Sequence, residues 1–240
     1  IVIALFFWAL SALFRRPSSA AVQTANSQWK STSASESVGW STVPETRLRD
    51  VGGFSRVKQD VMAIAANRLG KHRSSVIQNG ILIYGPQGTG KNLLAEATAG
   101  EFSANFFHVR CPELVGQHTG SGAERIRGVF ESAFAKRPIV LFLDEIDSIG
   151  SRKQVQGHGT DSGGGGREYN SLVTQLMQSM DQYRQMDGLL IVAATNYLDG
   201  LEPTLIRDGR FDAKIRLDLP SEVERKEILG VQLRKHRSHT

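Results

Sequence analysis

The residues best suited to chemistry sit in Gly85-Pro86-Gln87-Gly88-Thr89-Gly90-Lys91-Asn92. An apolar run, Ile81 to Tyr84, precedes them, and Lys-Asn-Leu-Leu-Ala-Glu-Ala, which reads as a helix, starts at Lys91. Strand, glycine-rich loop and helix form the setting in which G-x-x-x-x-G-K becomes a phosphate site. Glycines let successive N–H groups turn inward, and the helix start adds partial positive charge. Lys91 would reach the β- and γ-phosphates of a nucleoside triphosphate. The next position, where a hydroxyl is expected, holds Asn92. Taken alone, the stretch also reads as a strand–turn–helix with incidental glycines; its companions decide.

The first companion is Ile139-Val-Leu-Phe-Leu-Asp144-Glu145-Ile-Asp147, a buried strand that ends in carboxylates. Strand ends line the open edge of α/β sheets, where ligands bind. Asp144 is placed to hold the shell of a Mg²⁺ ion, partly through water, and Glu145 to orient and activate an attacking water. In isolation the pair would serve as an ordinary cap on the next helix. A second strand, Leu189 to Ala194, closes on Thr195 and Asn196. An amide there can hold the lytic water or touch the γ-phosphate, though Asn at a strand end is also common turn chemistry. Arg207 and Arg210 flank a turn in Ile206-Arg-Asp-Gly-Arg-Phe-Asp212. They either pair with Asp208 or Asp212 on the surface or reach a transferring phosphoryl group from outside the pocket. The latter requires a neighbouring subunit.

Five strand-like runs carry these groups: Ile81–Tyr84, Asn105–Val109, Ile139–Leu143, Leu189–Ala194 and Ala213–Leu217. Helices are expected near 57–69, 91–101, 122–136, 167–181 and 200–207, with a loop over 157–166. Apolar strands alternating with helices predict a five-stranded parallel sheet covered on both faces. After Pro220, Ser221 and Glu224 form a capping-box pattern. The 240 residues carry 40% hydrophobic and 22% charged residues, ordinary for a globular α/β protein. The net charge of +5 is scattered among both signs, with no basic stripe for nucleic acid. The single cysteine, Cys111, excludes an internal disulfide and a cysteine zinc cluster.

Residues 1–14 are uncharged and Arg15-Arg16 follow. Fourteen helical residues span about 21 Å, against a hydrocarbon core of roughly 30 Å. The segment 1–16 therefore reads as the end of a transmembrane helix, with the following residues on the cytoplasmic side or in an organellar matrix or stroma. A Ser/Ala/Thr-rich flexible linker is expected over 17–46, a core domain over 47–220, and the start of a second, helical unit over 221–240.

From Asp50 to about Leu233 the chain resembles an AAA+ ATPase module, and is most similar to that of membrane-anchored FtsH-like AAA proteases. The resemblance rests on DVGG (50–53), GPQGTGK (85–91), LFLDEID (141–147), VAATN (192–196) and IRDGRFD (206–212). It implies ATP and Mg²⁺ as cofactors, a homo- or hetero-oligomeric ring, typically a hexamer, and a protein substrate. By the same resemblance Val51, Gly52 and Gly53 lie near the adenine, Asn196 senses the γ-phosphate, and Arg207 and Arg210 are arginine fingers. The segment after Pro220 would be a helical lid, and His118, Thr119 and Gly120 would sit in a substrate-gripping pore loop. Three features depart from the pattern. Asn92 replaces a hydroxyl, His118 replaces an aromatic, and no H-E-x-x-H occurs, His236-Arg-Ser-His239 having the wrong spacing. The readings that follow are a protein-remodelling ATPase, a nucleotide-binding pseudo-ATPase in a mixed ring, or the ATPase half of a zinc protease.

Overall fold

The computed structural model describes residues 39–41, 43–70, 80–115, 121–150, 165–207 and 209–237. The expected membrane segment 1–16, most of the linker, the pore-loop residues His118, Thr119 and Gly120, and most of the 157–166 loop lie outside them. Among the described residues no helix is long and apolar enough to cross a membrane.

All five expected strands form, as β2 (Gly80–Tyr84), β3 (Asn105–Arg110), β4 (Ile139–Asp144), β5 (Leu189–Thr195) and β6 (Ala213–Arg216). They pair in parallel in the order β3-β4-β5-β2-β6. A sixth strand, β1 (Gly39–Ser41), adds antiparallel to β3 at the edge. This corrects the linker expectation for 17–46: three residues of it are sheet. So short an edge strand leaves no periodic signal to read.

Helices α1 (Ser55–Leu69), α2 (Lys91–Glu101), α3 (Ser121–Ala135), α4 (Asp147–Gly150), α5 (Gly165–Tyr183) and α6 (Glu222–Arg237) complete the chain. Because side chains alternate along strands, β2, β3, β4 and β5 each feed two cores, whereas β6, with Lys214 and Arg216 exposed, feeds one. Ile81, Ile83, Phe106, Val140, Phe142, Leu190 and Val192 face α1 and α2, meeting Val61, Ile64, Leu94 and Ala95. Leu82, Phe107, Leu141, Leu143 and Ile191 face the other side, against Ile126, Val129, Phe130, Leu172 and Leu176 of α3 and α5. Burial on both faces explains the continuous apolar runs.

The expected helix at 200–207 does not form. A 3-10 turn, Leu198–Gly200, is followed by further turns through Arg207. Leu201 and Leu205 are buried at helical spacing, which imitates an amphipathic helix. The intervening Pro203 supplies no N–H donor. The Leu205 carbonyl instead accepts from the Phe211 N–H at 3.2 Å, closing the turn that carries the arginines.

Candidate functional site

β2 ends at Tyr84 and α2 starts at Lys91, so the glycine-rich loop lies at the C-terminal edge of the sheet, at the end of the strand between β5 and β6. Gly88 (φ 80°) and Gly90 (φ 92°) take the left-handed backbone that side chains resist, in open space. Gly90 caps α2 without a side-chain hydrogen bond. The first-turn N–H groups of α2 thus point into the loop as an anion site.

Lys91 is nearly buried. Its ammonium donates to the Gly85 and Pro86 carbonyls, each at 2.9 Å, and to Asn196 Oδ1 at 2.7 Å. Burial pushes its pKa down, and the carboxylates of Asp144 and Asp147 partly offset this. The lysine of one motif and the amide of another are therefore in direct contact. Parallel pairing of β2 with β5, Tyr84 opposite Thr195, puts them side by side.

Asp144 closes β4. Its Oδ2 accepts from Asn92 Nδ2 at 3.1 Å, and its Oδ1 from the Glu145 N–H at 3.0 Å. Half-burial works against its charge. The His108 imidazole at 3.5 Å, the Asn92 amide and the Glu145 N–H outweigh that and hold its pKa below the usual value. Glu145 has φ 54°, a left-handed conformation costing on the order of 1–3 kcal/mol. The Ile146 N–H, bonded to the Ala194 carbonyl at 3.0 Å, holds the turn after it. Asp147 binds the Thr195 hydroxyl at 2.7 Å, locking the ends of β4 and β5 together. The Glu145 carboxylate lies 3.4 Å from the Arg110 guanidinium; both are exposed enough that the pair is worth about 0–1 kcal/mol. Glu145 is therefore free to move.

The turn at Val51–Gly53 closes the other end of the site. A cleft of about 170 Å³ is lined by Asp50, Val51, Gly52, Gly88, Thr89, Gly90, Leu93, Ile228, Val231 and Gln232, among others. It joins the turn, the glycine loop and α6. A Cβ on Gly52 would stand 2.4 Å from Ile228 Cα, so α6 lies directly on the glycine. Glu227 and Glu224 carboxylates accept from the Gly53 and Phe54 N–H groups at 3.1 and 3.2 Å, clasping α6 to the turn. A larger cleft of about 480 Å³ shares Val51, Gly52 and Val231 but contains no residue of the glycine loop. The smaller one is the one continuous with the chemistry.

The two arginines differ. Arg210 is bound within its own chain, to the Thr204 carbonyl at 2.7 Å and Asp181 at 3.2 Å. Arg207 is exposed. Gln87 and Pro86 complete the loop, Pro86 through its carbonyl bonds to Lys91 and to the Thr89 hydroxyl.

Sequence reasoning overlooked five residues. His108 and Arg110 are polar residues at alternate positions of an otherwise apolar strand, and that alternation was the available signal. The α6 residues Ile228, Val231 and Gln232 carry no motif at all.

Residues 81–219 match the family described as "ATPase family associated with various cellular activities (AAA)". The chain is 39% identical to an ATP-dependent zinc metalloprotease FtsH of Cyanidium caldarium over 196 residues, covering 80% of this chain and 31% of the relative. It is 37% identical to a proteasome-activating nucleotidase of Methanopyrus kandleri, covering 80% of this chain and 44% of the relative. The FtsH of Thermotoga maritima is 38% identical over 195 residues, with 78% and 30% covered. The chain thus spans less than half the length of these relatives. A glycine loop whose lysine meets the amide ending β5, beside a carboxylate ending β4, is the geometry those residues form here, and the chain belongs to the AAA family of ATPases.

Proposed function

We propose that this chain binds ATP with Mg²⁺ and hydrolyses it to unfold or translocate protein substrates as a subunit of a ring. The observation that carries the reading is the Lys91–Asn196 contact beside the Asn92–Asp144 pair, which gathers three separate motifs at one sheet edge. The loop amides and Lys91 bind the phosphates, and Val51, Gly52 and α6 enclose the base. The donor set fits a hard cation: Asn92 donates to Asp144 through Nδ2, which leaves its Oδ1 for Mg²⁺, and Asp144 stays ionised. Bound there, Mg²⁺ neutralises phosphate charge. Glu145 swings from Arg110 to accept a proton from the attacking water, and Asn196 orients that water. Arg207 reaches the γ-phosphate of a neighbouring subunit, while Arg210, held by Asp181, fixes the turn that presents it.

The ring, hexameric as the family resemblance implies, is anchored through residues 1–16, with His118 to Gly120 gripping substrate. Metalloprotease activity is not assigned to this stretch, which contains no H-E-x-x-H. One observation favours a second reading, a pseudo-ATPase subunit: Asn92 lacks the compact hydroxyl that best suits Mg²⁺. Mg²⁺-dependent ATP turnover of the chain beside its Glu145→Gln and Asn92→Thr variants separates the two. For a working motor, Glu145→Gln lowers turnover by about 10²–10⁴-fold. No turnover in the natural chain, restored by Asn92→Thr, establishes the pseudo-ATPase instead.

A further inference from the structure

We infer that the larger, open cleft beside the Val51–Gly53 turn is a docking site for an acidic peptide segment of a partner protein. The inference goes beyond the nucleotide-binding reading and stands apart from it, since this cleft contains no residue of the glycine loop.

The lining carries a surplus of positive charge. Arg49, Lys58, Lys226 and Arg234 surround a space of about 480 Å³, and Glu227 is the one carboxylate among the lining residues. Glu227 is already engaged, accepting from the Gly53 N–H at 3.1 Å, and Lys226 pairs with Glu222 at 2.8 Å. Lys58 is half-buried, and its ammonium donates to the Val51 carbonyl. Burial lowers its pKa, against the opposing pull of Glu227. Among the described residues, Arg49 and Arg234 make no hydrogen bond or ion pair. Like charges gathered around a concave space focus their field into it and draw in an anion.

The spacing of the cations selects the anion. Lys226, Gly230 and Arg234 follow at i, i+4 and i+8 of α6 and share one stripe of the helix. Eight helical residues set Lys226 and Arg234 about 12 Å apart along the axis, too far to converge on one phosphate. Carboxylates four residues apart on an extended chain are separated by about 13 Å, so an acidic peptide meets both cations together. Gly230 lies between them. A glycine inside a helix weakens it relative to alanine, and nothing in the fold requires one here. Its backbone is not left-handed, and an added Cβ would meet only Arg234 Nη1, at an ordinary 3.8 Å. What the glycine supplies is a notch in the cleft wall, bordered by a guanidinium, where a peptide backbone can approach α6.

The test uses the chain without nucleotide and a fluorescein-labelled decapeptide of alternating Glu and Ala, read by fluorescence anisotropy. A decapeptide of alternating Gln and Ala is the neutral control. The acidic peptide is expected to bind and the neutral one not. Arg49→Gln combined with Arg234→Gln is expected to weaken binding by about tenfold. Lys214→Gln combined with Arg216→Gln, which removes the same charge from β6, is expected to change it by less than about twofold. Gly230→Gln fills the notch: the melting temperature is expected to rise while peptide affinity falls by about tenfold. A glycine with a merely structural role would not lose binding in a stabilised chain. Equal binding of the two peptides, or a loss no greater in the cleft variants than in the β6 variant, overturns the inference. Phosphatidylglycerol vesicles or inorganic phosphate that bind through Arg49 and Arg234, with no binding of the acidic peptide, overturn it in favour of a lipid or phosphate site. No nucleotide is present, so these outcomes leave the nucleotide-binding reading untouched.

Discussion

The two ends of the proposed nucleotide cleft are built by different means. At the phosphate end, polar groups at three strand ends bond one another directly: Lys91 to Asn196, Asn92 to Asp144, Thr195 to Asp147. At the base end, a turn of two glycines is pressed against α6, some 170 residues later in sequence, with Ile228 Cα so close that no side chain fits at Gly52. The first end is a framework of fixed charge, and the second is a packed contact that only folding brings together. Charge at the first should govern turnover, and fit at the second should govern affinity for the base.

The largest effect follows at the phosphate end. Lys91→Ala removes the ammonium held in the loop and leaves Asn196 and two carbonyls without their donor. ATP turnover should fall by about 10²–10³-fold, and binding of ADP and of tripolyphosphate, measured by calorimetry, should weaken together. If ADP binding were untouched, the lysine would not be a phosphate ligand.

An intermediate effect tests the other end. Gly52→Ala places a methyl group 2.4 Å from the backbone of α6, which must shift. Overpacking of this kind costs about 1–3 kcal/mol. ADP affinity should therefore drop by about tenfold while tripolyphosphate affinity changes little. Equal losses for both ligands would show that the two ends are not separable.

The same division decided what the sequence could disclose. The sheet and the phosphate end were legible because β2, β4 and β5 are continuous apolar runs and the polar groups sit at their ends, within a few residues of their motifs. The gathering of Lys91, Asp144, Glu145 and Asn196 at one sheet edge was legible this way. The base end was legible only as far as Val51–Gly53, since Ile228, Val231 and Gln232 lie on a helix with no motif and reach the site by packing. His108 was missed because its role depends on register, Phe142 opposite it and Asp144 diagonal to it, which strand composition does not state. The false helix at 200–207 arose from Leu201 and Leu205, whose spacing fits a helix but whose burial is satisfied by turns. β1 was missed because three residues are too few to show alternation.

The smallest effect concerns how α6 is held in place. Ser221 and Glu224 form the expected capping box: the Glu224 carboxylate accepts from the Ser221 N–H at 2.8 Å and its hydroxyl at 2.7 Å, and the Glu224 N–H approaches the Ser221 hydroxyl at 3.4 Å. The same glutamate accepts from Phe54 in the Val51–Gly53 clasp. The Ser221 backbone and hydroxyl bonds hold its pKa below the ordinary 4.5, against a small burial cost, and the Phe54 N–H adds to the effect. A carboxyl depressed on folding stabilises the folded chain above its unfolded pKa and loses that contribution as pH falls through the lower, folded value. The group is largely solvent-exposed, so screening keeps the effect modest. Glu224→Gln should cost about 0.5–1 kcal/mol at pH 7, measured by urea unfolding. The gap between variant and natural chain should narrow below pH 4.5, as the natural carboxyl takes up its proton. A gap that stays constant with pH would mean that Glu224 acts through shape alone, leaving Glu227 on the Gly53 N–H as the charged bond of the base end.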